Sequence, residues 1–118
     1  MKKTIMIKKN YEFKNLFSKG KFLYGENIHM YIKENMSKNN RLGIAVSKKQ
    51  GNAVNRNRIK RLIRENYKIY EDKIKVGTSI LVIINKKKNI KDINYYEIKD
   101  DFIKIFNKSN LFIEKNIK

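Results

Sequence analysis

The sequence contains no cysteine and no proline, and its 29 lysines and arginines face only 11 acidic residues. Without cysteine, the chain can form neither disulfides nor thiolate metal sites. It also lacks a long apolar run, because residues 80–84 fall far short of the roughly 20 residues that a membrane-spanning helix needs. The N-terminus is basic but has no apolar stretch of signal-peptide length. These absences predict a cytoplasmic protein without a membrane partner.

The net charge of +18 over 118 residues predicts a polyanionic partner. Abundant Lys, Asn and Ile could reflect AT-rich coding drift, which supplies lysines without any partner. The arginines are more informative, because all except Arg41 lie within residues 51–66, GNAVNRNRIKRLIREN. A guanidinium group offers phosphate a planar, bidentate fork that an ammonium group cannot. The arginine cluster therefore points to a phosphate-rich partner.

The pattern of apolar residues predicts one α+β domain over residues 1–118, with loosely ordered ends at 1–9 and 108–118. Its element order is α-β-β-β-α-β-α, a sandwich of helices on a small mixed sheet. The strand over 78–85 is apolar on both faces and should be central. Asn94 and Glu97 have the spacing of a capping box. The predicted helices are 10–19, 52–70 and 95–107, and the predicted strands are 21–25, 27–34, 41–47 and 78–85.

Two predicted strands have faces of contrasting character. On the strand 27–34, His29, Tyr31 and Lys33 make a polar face opposite an aliphatic one. On the strand 41–47, one face carries only small residues, which are Gly43, Ala45 and Ser47. If that small face adjoins Tyr31, the sheet forms a shallow floor on which single-stranded bases can stack against aromatic rings.

The helix predicted over 52–70 has an apolar face beside a basic one. Basic surface helices usually mix charges of both signs in i,i+4 pairs, whereas this one concentrates like charges that a bound anion would neutralise. A membrane-surface helix is an alternative, but the flanking strands compete to bury its apolar face. The apolar face comprises Ile59, Leu62, Ile63, Ile69 and Tyr70, and the basic face comprises Asn57, Arg61, Arg64 and Lys68, extended by Arg56 and Lys60.

The sequence offers no set of residues for catalysis by the protein itself. Hydrolytic enzymes generally need acid–base groups near one another or carboxylate-held metal ions. His29 is the only histidine, and Asp100 and Asp101 are adjacent on a helix and so point in different directions. We therefore predict no catalytic residue and no metal site in the chain.

The segment RLGIAVSKKQGNAVNRNRIKRLIRE, residues 41–65, resembles the signature of the bacterial ribonuclease P protein subunit. The family's arginine-asparagine-arginine motif stands here as Arg56-Asn57-Arg58. The resemblance implies a fold like the second domain of ribosomal protein S5, with a left-handed βαβ crossover. That hand is rare, because such crossovers are right-handed in about 98% of cases.

The resemblance also implies a function. The family partners a large catalytic RNA that removes the 5′ leader from precursor tRNA as an endoribonuclease, with Mg²⁺ bound mainly by the RNA. It implies no DNA partner. The residues expected to contact RNA are Lys48, Lys49, Asn52, Arg56, Asn57, Arg58, Lys60, Arg61 and Arg64. Those expected to line the leader cleft are Phe13, Phe17, His29 and Tyr31, with His29 standing where the family often has an aliphatic residue.

Two other classes of function compete with this one. A structural RNA-binding protein, such as a ribosomal protein, would have the same composition. A membrane-surface or DNA-condensing basic protein would have the same charge. Composition does not separate the three classes, whereas the ordered signature favours the ribonuclease P subunit.

Overall fold

A computed structural model describes residues 4–110 of the chain. Within this range the sheet has five strands, and three helices pack against it. After one added strand at the start, the element order is the predicted α-β-β-β-α-β-α, so the α+β prediction is confirmed. The strands are β1 (Thr4–Met6), β2 (Lys21–Tyr24), β3 (Ile28–Glu34), β4 (Asn40–Ala45) and β5 (Thr78–Ile84), and the helices are α1 (Asn10–Lys19), α2 (Ala53–Tyr70) and α3 (Tyr95–Ser109).

The sheet is mixed, with the strand order β1-β4-β5-β3-β2. As predicted, β5 is central, pairing parallel with β4 and antiparallel with β3. At the edges, β1 runs parallel to β4 and β2 antiparallel to β3. Because α2 connects the parallel neighbours β4 and β5, it forms the crossover of a βαβ unit. The left hand of this crossover stays a prediction from the family resemblance.

The first residues are more ordered than the sequence predicted. The expectation of a loose end over 1–9 is wrong for residues 4–7, because Thr4–Met6 pairs with β4 and Ile7 is buried. The hydroxyl groups of Thr4 and Tyr67 share a hydrogen bond of 2.8 Å, which joins β1 to α2. At the other end, α3 continues to Ser109, so residues 108 and 109 are helical. Residues 1–3 and 111–118 lie outside the described range.

The main core lies between the sheet and the helices α2 and α3. Ile59, Leu62, Ile63 and Tyr70 are buried as predicted, but Ile69 is 47% exposed, and its assignment to the core was wrong. Asn66 and Tyr67 are buried instead. At 100° per residue Asn66 lies near the middle of the arc from Leu62 to Ile63, whereas Tyr67 and Ile69 lie just outside its opposite ends. Tyr67 is buried because its side of the helix faces β1, where its hydroxyl group bonds to Thr4.

Helix α1 packs on the opposite face of the sheet and covers only part of it. Leu16 forms a small second core with Ile7 and Leu81, against which Phe13 and Tyr31 also pack. The short helix leaves the rest of this face open. The open part is where the polar face of β3 emerges.

Helix α3 fixes the turn between β2 and β3. The predicted capping box is confirmed, with the side chains of Asn94 and Glu97 bonded to each other's backbone N–H. One turn further on, the buried Asp101 carboxylate accepts hydrogen bonds from the backbone N–H groups of residues 26, 27 and 28, at 3.3, 2.7 and 3.0 Å. Asp100 is exposed, so the two neighbours point in different directions as expected. This bonding holds β2 and its side chains in place at the edge of the sheet.

Candidate nucleic-acid interface

A cleft of about 1010 Å³ lies between α1 and the C-terminal ends of β4 and β5. Phe13 and Phe17 of α1 line one side of it, and Ala45 and Ile83 line the floor. Lys60 of α2 reaches its rim. The cleft is therefore open, apolar at its base and bounded by both α1 and the basic helix.

The strand registers confirm that the small residues of β4 share a face with Tyr31. Gly43 pairs with Leu81, which pairs with Tyr31 on the next strand. Ala45 pairs in the same way with Ile83, and Ile83 with His29. A Cβ atom at Gly43 would lie 2.9 Å from the Phe13 ring, so α1 can approach the sheet this closely only over glycine. The small residues of β4 thus allow α1 to pack close to the sheet and leave space for the cleft.

The two aromatic residues predicted on α1 have different surroundings. Phe13 is half-buried over Gly43, whereas Phe17 is 45% exposed. The Phe17 ring meets that of Tyr31 edge-on, with centroids 5.0 Å apart. Phe13 and Phe17 line the cleft, whereas Tyr31 and His29 do not line it and lie beside it on the same face of the sheet. Binding of a leader by these four residues stays a prediction.

His29 lies on the same face as Tyr31 and is half-buried. Its ring packs edge-on against Phe22, with centroids 5.3 Å apart, and its Nδ1 atom is buried without a hydrogen-bond partner. Burial lowers the pKa of His29 below its usual value, partly offset by a backbone hydrogen bond and by Asp101. The imidazole is therefore neutral at pH 7, an aromatic surface rather than a cation.

Lysine side chains surround the cleft. They come from α1, from the turn before α2, from α2 and from the loop after β5, so four separate segments place positive charge around one opening. A single strand of nucleic acid presents apolar bases and anionic phosphates together, which this combination of floor and rim matches. The lysines that line the cleft are Lys14, Lys49, Lys60, Lys86 and Lys88.

The outer face of α2 is basic and open to solvent. Asn57, Arg61 and Lys68 are exposed, and Arg64 is half-buried. The one acid among them, Glu65, lies 3.7 Å from the Arg61 guanidinium as an exposed i,i+4 pair. Such a pair holds its side chains only weakly. This face therefore remains available for phosphate.

The start of α2 adds three more predicted residues. Lys48 and Lys49 are exposed in the short 3-10 turn Lys48–Gln50. Asn52 is exposed and caps α2, since its Oδ1 atom accepts a hydrogen bond of 2.9 Å from the backbone N–H of Asn55. The first turn of α2 carries no acidic residue, so the positive end of the helix dipole is uncompensated.

Arg58 differs from the other arginines of the cluster. Its guanidinium group donates hydrogen bonds to the backbone carbonyls of Ile90 and Ile93, at 3.3 and 2.9 Å. These carbonyls belong to the loop that enters α3. Arg58 therefore fixes this loop against α2, a role that the charge pattern of the sequence did not reveal.

Arg56 lies one turn before Lys60, on the side of α2 nearest the cleft. It is half-buried, and its Nε atom is buried without a hydrogen-bond partner. An unpartnered guanidinium N–H is costly away from water. The described residues thus offer the Arg56 Nε atom no acceptor.

Two further aromatic residues at this surface lie outside the set that was predicted to line the leader cleft. Phe22 and Tyr24 of β2 pair with Tyr31 and His29 of β3, so all four side chains share one face. The alternation of Phe22 and Tyr24 along residues 21–24 indicated that the two rings share one face of a strand. The sequence of a short edge strand does not indicate, however, which of its faces lies toward the cleft.

Residues 4–110 contain neither a cluster of metal-ligating side chains nor a helix that could span a membrane. Among residues 4–110, no three His, Asp or Glu side chains come close enough to hold a metal ion together. In the same range, no helix has both the length and the apolar character needed to cross a bilayer.

Fold and surface together define a class of protein: a small, strongly basic α+β domain with an apolar cleft that has aromatic side chains on one side and lysines around its rim. Residues 1–110 match the family model described as Ribonuclease P. The chain belongs to this family.

Curated relatives match along nearly the whole chain. A "Ribonuclease P protein component" from Thermoanaerobacter sp. (strain X514) is 36% identical over 111 residues, covering 94% of both chains. One from Staphylococcus haemolyticus is 40% identical over 114 residues, covering 92% of this chain and 97% of the relative.

Solved structures agree with these relatives. The RNase P protein of Staphylococcus aureus superposes with a TM-score of 0.79 at 36% identity, covering 91% of this chain and 96% of that one. That of Thermotoga maritima superposes with a TM-score of 0.74 at 27% identity, covering 97% and 98%. Of the three classes considered from the sequence, the comparisons favour the ribonuclease P subunit.

Proposed function

We propose that the chain is the RNA-binding protein subunit of ribonuclease P, assisting a catalytic RNA that removes the 5′ leader from precursor tRNA. The observation that carries this proposal is the joining of two surfaces. The aromatic cleft and the basic face of α2 meet at Lys60, which belongs to α2 and lines the cleft. One RNA can lie on the helix while a single strand enters the cleft beside it.

The catalytic RNA binds the exposed face of α2 and the residues before it. Asn57, Arg61 and Arg64 present donors to its phosphates, and the half-buried Arg56 adds a positive charge beside them. Arg58 contributes by holding the loop before α3. Each phosphate that the protein neutralises releases a counterion, so this contact weakens as salt is added. Lys48, Lys49, Asn52 and Lys60 extend the surface toward the cleft.

The leader binds in the cleft as a single strand. Its bases stack on Phe17 and Tyr31 and lie over the apolar floor. Phe13 packs against Gly43 and so sets the distance of α1 from the sheet. The neutral His29 extends the floor toward β2. Its phosphates face the lysines of the rim. Stacking of this kind accepts any base, which suits leaders of different sequence.

The bond cleavage belongs to the RNA, together with Mg²⁺ that the RNA holds. The described part of this chain offers no group of carboxylates for such an ion. His29 is the only histidine of the sequence, and it is half-buried on the sheet face beside the cleft. The protein's contribution is therefore to bind and orient. We also place the protein in the cytoplasm, where tRNA precursors are made.

Two experiments test this proposal. Purified protein alone should leave precursor tRNA intact, and addition of the catalytic RNA should produce cleavage at the leader junction. Cleavage by RNA-free protein that disappears in His29→Ala would contradict the assignment of chemistry to the RNA. A native pull-down should recover one large RNA with precursor tRNA. Recovery of ribosomal subunits instead would favour the structural alternative.

A further inference from the structure

The cleft floor continues onto the edge of the sheet as a strip of aromatic residues. Phe22 and Tyr24 of β2 form this edge strip together with His29 of β3. Ring centroids are 5.0 Å apart for Phe22 and Tyr31, 5.3 Å for Phe22 and His29, and 6.4 Å for Tyr24 and His29. The rings thus form an unbroken series from the Phe17–Tyr31 pair to β2.

The outer rings of the strip contribute little to the core. Phe22 is 43% exposed and Tyr24 is 69% exposed. A single exposed apolar residue needs no explanation, but contiguous exposed aromatic rings mark a binding surface. Both lie on an edge strand, which proteins usually protect with charge rather than with aromatic residues.

The strip is continuous with the cleft in the register of the sheet. Ala45, Ile83, His29 and Tyr24 form one cross-strand row over β4, β5, β3 and β2. Ala45 and Ile83 already line the cleft. Two strand spacings, about 10 Å in all, separate Ile83 from Tyr24 at the outer end of the row. That length accommodates about two further stacked nucleotides of an extended strand.

The charges around the strip are compatible with RNA. Lys108 of α3 places its Nζ atom 5.9 Å from the centre of the Tyr24 ring. The nearby acid Glu26 lies 3.6 Å from Lys88, which also lines the cleft. The Asp101 carboxylate is buried and accepts three backbone hydrogen bonds. Negative charge near the strip is thus compensated, while a cation remains beside its outermost ring.

We propose that Phe22, Tyr24 and His29 form a second binding site for the leader, taking nucleotides farther from the cleavage point than those in the cleft. This inference rests on the proposed function. The catalytic RNA lies on α2, and Lys60 marks the end of the cleft nearest that helix. A strand entering there reaches the cleft first and the strip afterwards. The occupant is therefore the distal part of a long leader.

The test uses the reconstituted holoenzyme and precursor tRNAs whose leaders grow one nucleotide at a time. With wild-type protein, affinity should keep rising after the cleft is filled and should level off about two nucleotides later. The Phe22→Ala/Tyr24→Ala variant should level off when the cleft is filled and bind long leaders about tenfold more weakly. Short leaders should bind it normally.

Control variants separate stacking from effects on folding. Tyr96 is 70% exposed on α3, away from this face, so Tyr96→Ala should bind every leader like wild type. Tyr24→Leu keeps an apolar side chain without an aromatic ring. The holoenzyme with this variant should also lose the additional affinity that long leaders give. The thermal midpoints of Tyr96→Ala and Tyr24→Leu should stay near that of wild type, since both tyrosines are largely exposed.

Three results would overturn the inference. Equal losses on short and long leaders would make the strip a packing support for Tyr31. Unchanged binding at every length would place the leader elsewhere. Self-association of the protein that Tyr24→Ala abolishes would assign the strip to a second copy of the chain. The proposed function fails separately, if the wild-type holoenzyme shows no dependence on any leader.

Discussion

Phe17 of α1 and Tyr31 of β3 meet edge-to-face, with ring centroids 5.0 Å apart. This contact connects the helix above the cleft to the strand below it. Aromatic pairs of this geometry contribute about 0.5–1.5 kcal/mol beyond their buried area. The same two rings are thus both a structural link and the proposed stacking surface.

A double-mutant cycle measures this link. Phe17→Ala and Tyr31→Ala should couple by about 0.5–1.5 kcal/mol in the free energy of unfolding, because each loses the same ring contact. Urea denaturation of the two single variants and the double variant gives the value. Phe17→Ala combined with Tyr96→Ala should be additive, and coupling of similar size in that control pair would contradict the interpretation.

Arg61 tests the basic face of α2. Arg61→Ala should weaken binding to the catalytic RNA and reduce the slope of log affinity against log salt by about 0.7 to 0.9, the loss of one phosphate contact. Its exposed pair with Glu65 predicts little change in stability. Lys104→Ala on the exposed side of α3 serves as the control and should leave the slope unchanged. An unchanged slope in Arg61→Ala would exclude Arg61 from the interface.

Arg58 should behave differently from Arg61. Arg58→Ala removes the donors from the carbonyls of Ile90 and Ile93, so it should lower the free energy of unfolding by about 1–3 kcal/mol. Arg61→Ala, matched in charge, should lower it by less than about 1 kcal/mol. Equal stability of the two variants would mean that the carbonyls find other partners and that Arg58 has no structural role.

Tyr67 gives the fold a defined dependence on high pH. Burial raises the pKa of Tyr67 to about 12, opposed by its hydrogen bond with Thr4. The unfolded chain ionises this group near pH 10, so its contribution to stability is complete below pH 10 and is lost between pH 10 and 12. The loss is about 1.4 kcal/mol per pH unit. Comparison with Tyr67→Phe cancels the titration of the lysines.

In that comparison, wild type should be the more stable protein at pH 8, by about 0.5–1.5 kcal/mol for the hydrogen bond. Its advantage should shrink and reverse as the pH rises past 10. A constant difference between the two proteins from pH 8 to 12 would show that Tyr67 ionises equally well in the folded state.

The sequence predicted those helices and strands whose pattern of apolar and polar residues extends over many residues. The apolar strand β5, the periodic helix α2 and the alternation of Tyr31 with its neighbours all appear as expected. Strand β1 was missed, because three residues in a charged segment are too few to display alternation. Its place in the sheet depends on the distant Tyr67 and on pairing with β4, which no local pattern contains.

The candidate site was predictable in part for the same reason. Charge and spacing identified the outer face of α2, and alternation placed Tyr31 on the face with Gly43. The role of Arg58 depends on carbonyls more than 30 residues away along the chain. The contribution of Phe22 depends on the register of an edge strand. Both follow from tertiary packing, which the periodicity of a single segment does not determine.

The central claim is that the protein raises the affinity of the holoenzyme for precursor tRNA by binding the leader in the cleft. The most direct measurement is the affinity of the holoenzyme for leader-bearing precursor tRNA and for mature tRNA, with wild-type protein and with Tyr31→Ala. We predict that the variant loses about 1–3 kcal/mol on the precursor. Its binding to mature tRNA and to the catalytic RNA should be nearly unchanged. Equal losses for precursor and mature tRNA would contradict the account and make Tyr31 a packing residue.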